Sequence, residues 1–377
     1  MFFLNKIGQI YSEIGLLTLI MVFFSILGAI DRIFGNHFGL GKQFEKGFML
    51  LGNMALSMIG MIIISPLIAD IMRPVFDFVQ NSLHIDPSVI PASLFANDMG
   101  GAPLAKEICT NNQIGMFNAL VVSSMMGCTI SFTIPFALDM IKKEHHKEVI
   151  LGFLCGIITI PIGCFVGGIV AQIPMNLLIV DLLPLVIFSL IIVLGLLFCP
   201  NLSVKIFGIF GTFIKILITI GLSLGVIRFL TGYEIVSGLA TFEEGAMVCV
   251  NASAVMTGAF PLMFVVQTIL TKPLKKLATK MKINTPSAMG LISSLATSVT
   301  TFELMKKMDD KGIVINSAFA VSAAFTFAGH LAFTMAFDSS YMVPMIIGKL
   351  VAGVTSIFVA VIMYKRNPNK GESVNVH

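Results

Sequence analysis

Asp98 is the residue of this chain best suited to bind a small cation. It follows Asn97 in an otherwise apolar segment that Gly100 and Pro103 interrupt. Proline and glycine disturb helical hydrogen bonding and leave backbone carbonyls free, and a carboxylate within a membrane is costly enough to indicate a function. A carboxylate beside free carbonyls and an aqueous cavity could replace the water around an ammonium group. The alternative is that Asp98 caps the N-terminus of a half-helix.

Two further carboxylates lie in copies of one short phrase. The copies are Phe44-Glu45-Lys46-Gly47 and Phe242-Glu243-Glu244-Gly245, which are 198 positions apart (242 − 44). Eight residues after each carboxylate comes an asparagine, Asn53 in the first copy and Asn251 in the second. We expect Glu45 and Glu243 to bind or gate a substrate, unless each only complements the positive end of its helix. The two asparagines would contact the substrate or form hydrogen bonds between helices.

The remaining candidate residues lie in the second half of the chain. Segment 286–304 begins at a proline and is rich in hydroxyl side chains, of which Thr297 and Ser298 are candidate substrate contacts. His330 lies in the middle of an apolar run, where it has either a proton- or substrate-linked role or a purely structural one.

These polar residues are conspicuous because the chain around them is strongly apolar. Of its 377 residues, 56% are hydrophobic and 12% are charged, and the mean hydropathy is +0.95. A soluble domain has about 25% charged residues, so the sequence predicts an all-α polytopic membrane protein in contact with the lipid bilayer. The net charge of +4 is small and lies in a few loops, so nucleic acid is not a predicted partner.

The sequence predicts neither a cofactor nor a metal site. Its six cysteines lie in or beside apolar runs without a CxxC pair, and no histidine or aspartate is placed at ligand spacing. No GxSG nucleophile or clustered acid–base set is present either, so the chain is not expected to be an enzyme.

About 20 apolar residues are needed to cross the hydrocarbon core, and nine segments meet that length. They are 13–34, 46–70, 113–138, 148–172, 176–198, 203–231, 245–270, 313–337 and 342–364. Two shorter, interrupted segments, 87–105 and 286–304, take equivalent places in the two halves. Paired broken segments of this kind indicate the binding site of a transporter with internal repeats.

Positive charge favours one topology. The basic segments 142–147, 272–282 and 365–366 should all be cytoplasmic, and they agree only if 286–304 enters and leaves the membrane on the same side. Each half then has four crossings and one re-entrant segment, and helix 176–198 inverts the second copy. If both broken segments crossed fully, the chain would have eleven spans. The predicted units are the first repeat 1–172, the linking transmembrane helix 173–200, the second repeat 201–366 and the short cytoplasmic tail 367–377.

Several longer motifs resemble one known family, the EutH-type ethanolamine transporters. They are Gln43-Phe44-Glu45-Lys46-Gly47-Phe48-Met49, Asn97-Asp98-Met99-Gly100-Gly101, Thr159-Ile160-Pro161-Ile162-Gly163-Cys164, Val321-Ser322-Ala323-Ala324-Phe325, Asn316 with Ala318-Phe319-Ala320, His330-Leu331 and Ile347-Gly348-Lys349-Leu350. The resemblance covers nearly the whole chain, although the region around Asn251 departs from the family pattern.

The resemblance implies a multi-pass protein of the bacterial inner membrane that imports ethanolamine. A primary amine of this kind is mostly protonated at neutral pH, so a carboxylate should bind its ammonium, and Asn or Ser groups its hydroxyl. The alternatives are another small amine or a nucleoside-like solute, a passive channel and, remotely, an intramembrane enzyme acting on an amino alcohol head group. The sequence leaves open whether the chain forms a homo-oligomer.

Overall fold

The computed structural model describes residues 16–366, and within helices it leaves out the side chains of Asn53, Val204, Arg366 and several residues between 270 and 278. Every regular element in this part of the chain is helical, as the composition predicts. The expected tail 367–377 lies outside the described residues.

The two halves contain helices of very different length. The first half has α1 (Leu16–Ile33), α2 (Leu40–Met49), α3 (Leu51–Leu83), α4 (Val89–Leu94), α5 (Gly101–Ile108), α6 (Asn112–Phe117), α7 (Ile134–Met140), α8 (His146–Ile157) and α9 (Ile160–Val170). After α10 (Met175–Phe198), the second half has α11 (Pro200–Thr231), α12 (Phe242–Met281), α13 (Thr285–Ala296), α14 (Ser298–Leu304), α15 (Asp310–Ala323), α16 (Gly329–Phe337) and α17 (Met342–Arg366).

Eight helical stretches are long and apolar enough to cross a bilayer, which confirms the polytopic prediction. They are Leu16–Ile33, Leu40–Leu83, Asn112–Met140, Lys143–Val170, Met175–Phe198, Pro200–Thr231, Phe242–Ile269 and Ser339–Lys365. Each of them overlaps one of the nine predicted spans.

The ninth predicted span, 313–337, is divided into α15 and α16 by the non-helical residues 324–328. Phe325 has a φ of 62°, which no continuous helix allows. The backbone groups freed by this break are bound by α13: Phe325 N donates to the Ser294 carbonyl at 2.9 Å, and Phe327 N to the Leu295 carbonyl at 2.9 Å. Bonds to another helix replace helical ones here, which is how irregular backbone is tolerated at membrane depth.

Two helices of the first half each pack against a helix of the second half. α1 packs against α12, and α3 packs against α11. A Cβ atom on Gly258 would lie 2.0 Å from the Met21 carbonyl oxygen, and one on Gly60 would lie 2.0 Å from the Ile218 carbonyl oxygen. The two glycines are 198 positions apart (258 − 60), and the two residues that they contact are 197 positions apart (218 − 21). The two halves of the chain therefore make the same close helix contact, at nearly the spacing that separates the two Phe-Glu phrases.

The centre of the protein is a buried π-helical stretch between α6 and α7. The π-helical segments are Asn118–Gly127 and Thr129–Thr133, and every residue from 114 to 131 is buried. π-helical turns are rare and often mark functional sites, because they interrupt the regular i→i+4 bonding. This stretch packs against both α4 and α5, and against α17.

Candidate functional site

The first broken segment consists of α4, a single 3₁₀ turn (Asn97–Met99) and α5. The helix stops because Ala96 is extended and Gly100 has a φ of 105°, a conformation that favours glycine. No larger residue fits at that position, since a Cβ on Gly100 would lie 2.0 Å from Met61 Cγ. The free Ala96 N–H donates to the Ser131 hydroxyl of the π-helical stretch at 3.0 Å. The turn that carries Asn97 and Asp98 is thereby held within the protein.

Asn97 has a buried side chain whose polar atoms are not used by the fold. Its side chain is fully buried, and neither its Nδ2 nor its Oδ1 atom has a hydrogen-bond partner among the described residues. Leaving a buried donor or acceptor unpaired costs about 1–3 kcal/mol. An amide placed beside the Asp98 carboxylate therefore favours a polar ligand that both donates and accepts.

Two basic side chains complete the surroundings of Asp98. The 3₁₀ turn packs against α16, which carries His330. Lys349 on α17 is buried, and its Nζ atom donates to the Ser124 carbonyl at 2.6 Å and lies 3.0 Å from His330 Nδ1. No ion pair within 4 Å joins Lys349 to Asp98 in the described chain, so their opposite charges interact only over a longer distance.

The contact between Lys349 and His330 has a chemical consequence. An ammonium group only donates hydrogen bonds, so His330 Nδ1 must accept one. With Lys349 as an ammonium group, the imidazole is neutral and carries its proton on Nε2, a tautomer that is inferred from the hydrogen bond. His330 is thus a neutral donor, and the charges of this cluster are those of Asp98 and Lys349.

The second broken segment adjoins the same cluster. α13 and α14 meet at Thr297, which is extended and caps α14 by accepting from Val299 N at 3.2 Å. Ser298 is fully buried, and its hydroxyl has no partner in the part of the chain described. Phe325, whose N–H is bound by α13, places its ring 5.2 Å from that of His330. The two breaks are therefore connected through residues 324–330.

A polar cavity of about 190 Å³ lies beside the second break. Thr297 and Thr300 line it together with Gln43, Lys46 and Phe260. The Lys46 ammonium lies 5.1 Å from the centre of the Phe260 ring, a favourable cation–π distance. This cavity can hold a small polar solute next to Thr297, but Asp98 does not line it.

The structure separates the other predicted site residues from Asp98. Glu45 is partly exposed and forms an ion pair with Arg32 at 2.8 Å, and Glu243 is exposed in the first turn of α12. Asn251 is exposed on α12, whereas the side chain of Asn53 lies outside the described residues. No hydrogen bond or ion pair among the described residues joins Glu45, Glu243 or Asn251 to the Asp98 turn.

Lys349 is the site residue that the motif analysis missed. In the sequence it stands only within one of the motifs that resemble the family, although a lysine inside an apolar span itself indicates a function. Two buried hydroxyls without a partner, Ser322 and Thr334, are also absent from the prediction. Among residues 16–366, no three His, Cys, Asp or Glu side chains are grouped to hold a metal ion.

Comparison with known proteins identifies the family. The model of the family described as "Ethanolamine utilisation protein, EutH" matches residues 15–363. The chain belongs to the EutH family. This confirms the resemblance of the sequence motifs, and the match includes both broken segments and Lys349.

Curated EutH relatives match over nearly their full length. A probable ethanolamine permease EutH of Listeria monocytogenes is 44% identical over 94% of this chain and 95% of its own. Proteins of the same name from Escherichia coli and Salmonella typhimurium are 37% and 36% identical, over 91% and 92% of this chain and 94% and 95% of theirs. No solved structure matches this EutH chain.

Proposed function

We propose that this protein carries protonated ethanolamine across the bacterial inner membrane into the cytoplasm. Relatives named as ethanolamine permeases cover more than nine-tenths of the chain, and eight apolar helices make it a multi-pass membrane protein. It is a transporter and not an enzyme, with a small molecule as substrate. One observation supports the position of the binding site. The Asp98 carboxylate follows Asn97, whose buried side-chain amide has no hydrogen-bond partner among the described residues.

The chemistry of ethanolamine matches these groups. Its ammonium offers three N–H donors, which suit a carboxylate oxygen and free carbonyls, and its hydroxyl both donates and accepts. Asp98 would bind the ammonium and Asn97 the hydroxyl. Charge-assisted hydrogen bonds of this kind are worth about 1.5–3 kcal/mol, roughly twice as strong as neutral ones.

Lys349 would replace the substrate when the site is empty. A carrier must return without its cargo, and an unpaired carboxylate at membrane depth makes that step costly. The Lys349 ammonium, held by the Ser124 carbonyl and His330, supplies a compensating charge without closing an ion pair on Asp98. The site then alternates between an internal ammonium and the ammonium of the substrate.

Flux measurements on purified protein in liposomes test this function. Wild-type protein should show saturable, trans-stimulated ethanolamine uptake, and Asp98→Asn should abolish it while the protein remains folded. Asp77→Asn, which changes an exposed carboxylate on α3, is the matched control and should transport normally. Flux that rises linearly with ethanolamine concentration would indicate a channel. Normal uptake by Asp98→Asn would refute Asp98 as the binding residue. Stronger inhibition of uptake by another amine would identify that amine as the better substrate.

We also propose that 1–172 and 201–366 are inverted repeats joined by the linking helix 173–200. The reciprocal glycine contacts of α1 with α12 and of α3 with α11 favour this arrangement. Single cysteines at the exposed positions His37 and Tyr233, in a Cys199→Ser background, should react with impermeant thiol reagents from opposite faces. Labelling of both from one face would contradict the inversion. Crosslinking in native membranes tests the accompanying proposal that the chain forms a homo-oligomer.

A further inference from the structure

A second polar cavity lies at the end of the molecule where α3 ends and α10 begins. Its volume is about 440 Å³, and its lining includes Gln80, His84, Asp86, Asn111 and Asp181. At about 30 Å³ per water molecule, it has room for a small organic cation with part of its hydration shell. We call it the outer cavity, because the basic segments place this end of the helices on the external face.

Asp86 supplies charge to the outer cavity but no free oxygen. Its Oδ1 atom accepts from the N–H and hydroxyl of Ser88, and its Oδ2 atom accepts from Thr110 N, Thr110 Oγ1 and Asn111 N at 2.9–3.0 Å. These bonds tie the loop before α4 to the start of α6. All of the donors are neutral, so the negative charge of Asp86 remains.

Asp181 is different, because the fold uses only one of its oxygens. It is 2% exposed on α10, and its Oδ1 atom accepts from Asn118 Nδ2 at 2.8 Å. Its Oδ2 atom and the Oδ1 atom of Asn118 have no partner among the described residues, and no cation lies within 4 Å of Asp181 there. Asp181 lines the cavity and Asn118 does not, so the acceptor that the fold leaves available beside the cavity is Asp181 Oδ2.

The equivalent asparagine in the second half of the chain is held without a carboxyl partner. Asn316, 198 positions after Asn118 (316 − 118), donates to the Ser287 carbonyl at 2.8 Å, just as Asn118 Nδ2 donates to the Ser88 hydroxyl at 3.0 Å. The Asn316 side chain makes no bond to a carboxylate in the described part of the chain. The same asparagine is therefore held in both halves, and only the first has an added acid from α10.

We propose that the outer cavity is an external binding site for a primary ammonium ion, with Asp181 Oδ2 as its buried acceptor. This inference rests on the proposed function and adds to it an external site that ethanolamine would occupy before it reaches Asp98. Asp86 adds a second negative charge that raises the local concentration of cations at the opening. Asp98 does not line this cavity, so the two sites are separate.

Directional kinetics test the outer site. Asp181→Asn keeps the side-chain shape and an oxygen that can accept from Asn118, and it should raise the KM of uptake at least tenfold while the maximal rate changes less than twofold. Efflux from the opposite face should keep its KM. An equal KM in wild type and Asp181→Asn would overturn the proposal and leave Asp181 as a protonated structural partner of Asn118.

A second pair of variants avoids the buried groups. Gln80 lines the cavity, and its side chain makes no hydrogen bond among the described residues. Gln80→Lys should therefore raise the KM of uptake and Gln80→Glu should lower it, with Asp139→Asn, an exposed carboxylate on α7, as the control. If both Gln80 variants behave as wild type, the cavity does not bind the cation. Loss of a sodium requirement in Asp181→Asn would also overturn the ammonium assignment.

Equilibrium binding separates this inference from the proposed function. Asp98→Asn protein should retain one weaker ethanolamine site, which disappears in Asp98→Asn/Asp181→Asn. If Asp98→Asn protein binds no ethanolamine, the outer site is refuted while the proposed function is not. If wild-type protein binds and transports no ethanolamine, the proposed function itself fails.

Discussion

Lys349→Met should separate net transport from exchange. In the proposed mechanism the buried Lys349 ammonium balances the charge of Asp98 while the carrier is without substrate. Methionine fills a similar volume without a charge, so the empty carrier would have to reorient with an uncompensated carboxylate. The loaded carrier would not, because the substrate brings its own ammonium.

The size of the effect follows from the geometry. At an effective dielectric constant of about 20, two unit charges 4 Å apart attract each other by about 4 kcal/mol. Asp98 is only partly buried and is not within ion-pair distance of Lys349, so the attraction lies below that value, and we take about 3 kcal/mol as its upper limit. At about 1.4 kcal/mol per factor of ten, a cost of about 3 kcal/mol slows the return of the empty carrier roughly 100-fold.

The assay compares two fluxes in the same proteoliposomes. Net uptake into empty vesicles should fall by up to about two orders of magnitude, as estimated from that cost, whereas exchange of labelled for unlabelled ethanolamine should stay within a few-fold of wild type. Lys306→Met removes an exposed lysine near the second break and should affect neither flux. Equal loss of both fluxes would show that Lys349 only supports the fold. Unchanged net uptake would show that Asp98 needs no internal counter-charge.

The remaining predictions concern packing and the exposed carboxylates. Gly60→Ala and Gly258→Ala each place a Cβ 2.0 Å from a carbonyl oxygen of the opposing helix, so each should destabilise the protein by about 1–3 kcal/mol, measured as a lower midpoint of thermal unfolding in detergent. Glu45→Gln breaks a partly exposed ion pair with Arg32, which is worth at most about 1 kcal/mol, so the unfolding midpoint should barely move. Glu45→Gln and Glu243→Gln should impair transport asymmetrically, one raising the KM of uptake more and the other that of efflux.

Matched controls decide how these results are interpreted. Gly52→Ala adds a Cβ in open space and should leave stability unchanged or slightly raised, since alanine favours a helix over glycine. If only one of the two interface glycines matters, the two contacts are not equivalent. If both glutamate variants transport normally, the carboxylates serve the helix ends and not the substrate.

The sequence was most informative where a single residue type controls the backbone. Gly100 marks the first break because its positive φ and the nearby Met61 side chain exclude other residues. Most spans could be predicted from length and hydropathy alone. Residues 324–328 contain neither proline nor glycine, and the break there depends on carbonyls of α13, which are distant in sequence. No local pattern could have revealed it.

The candidate site was predictable in its parts but not in its composition. Asn97, Asp98 and His330 stand out in the sequence because polar residues are rare in such a chain. The place of Lys349 beside His330 depends on the packing of α17 against the π-helical stretch, and π-helical geometry has no signature in this sequence. Glu45 and Glu243 were selected because they recur, and recurrence identifies a repeated unit without showing which of its faces meets the substrate.

The position of α1 has a consequence for how the protein is made. Its close partner on α12, Gly258, is synthesised 237 residues after Met21 (258 − 21). α1 must therefore remain in lipid without α12 during most of translation, and its largely apolar sequence is suited to that delay. A nascent chain truncated before α12 should leave α1 open to crosslinking with lipid or with an insertion factor, and the full-length chain should protect it.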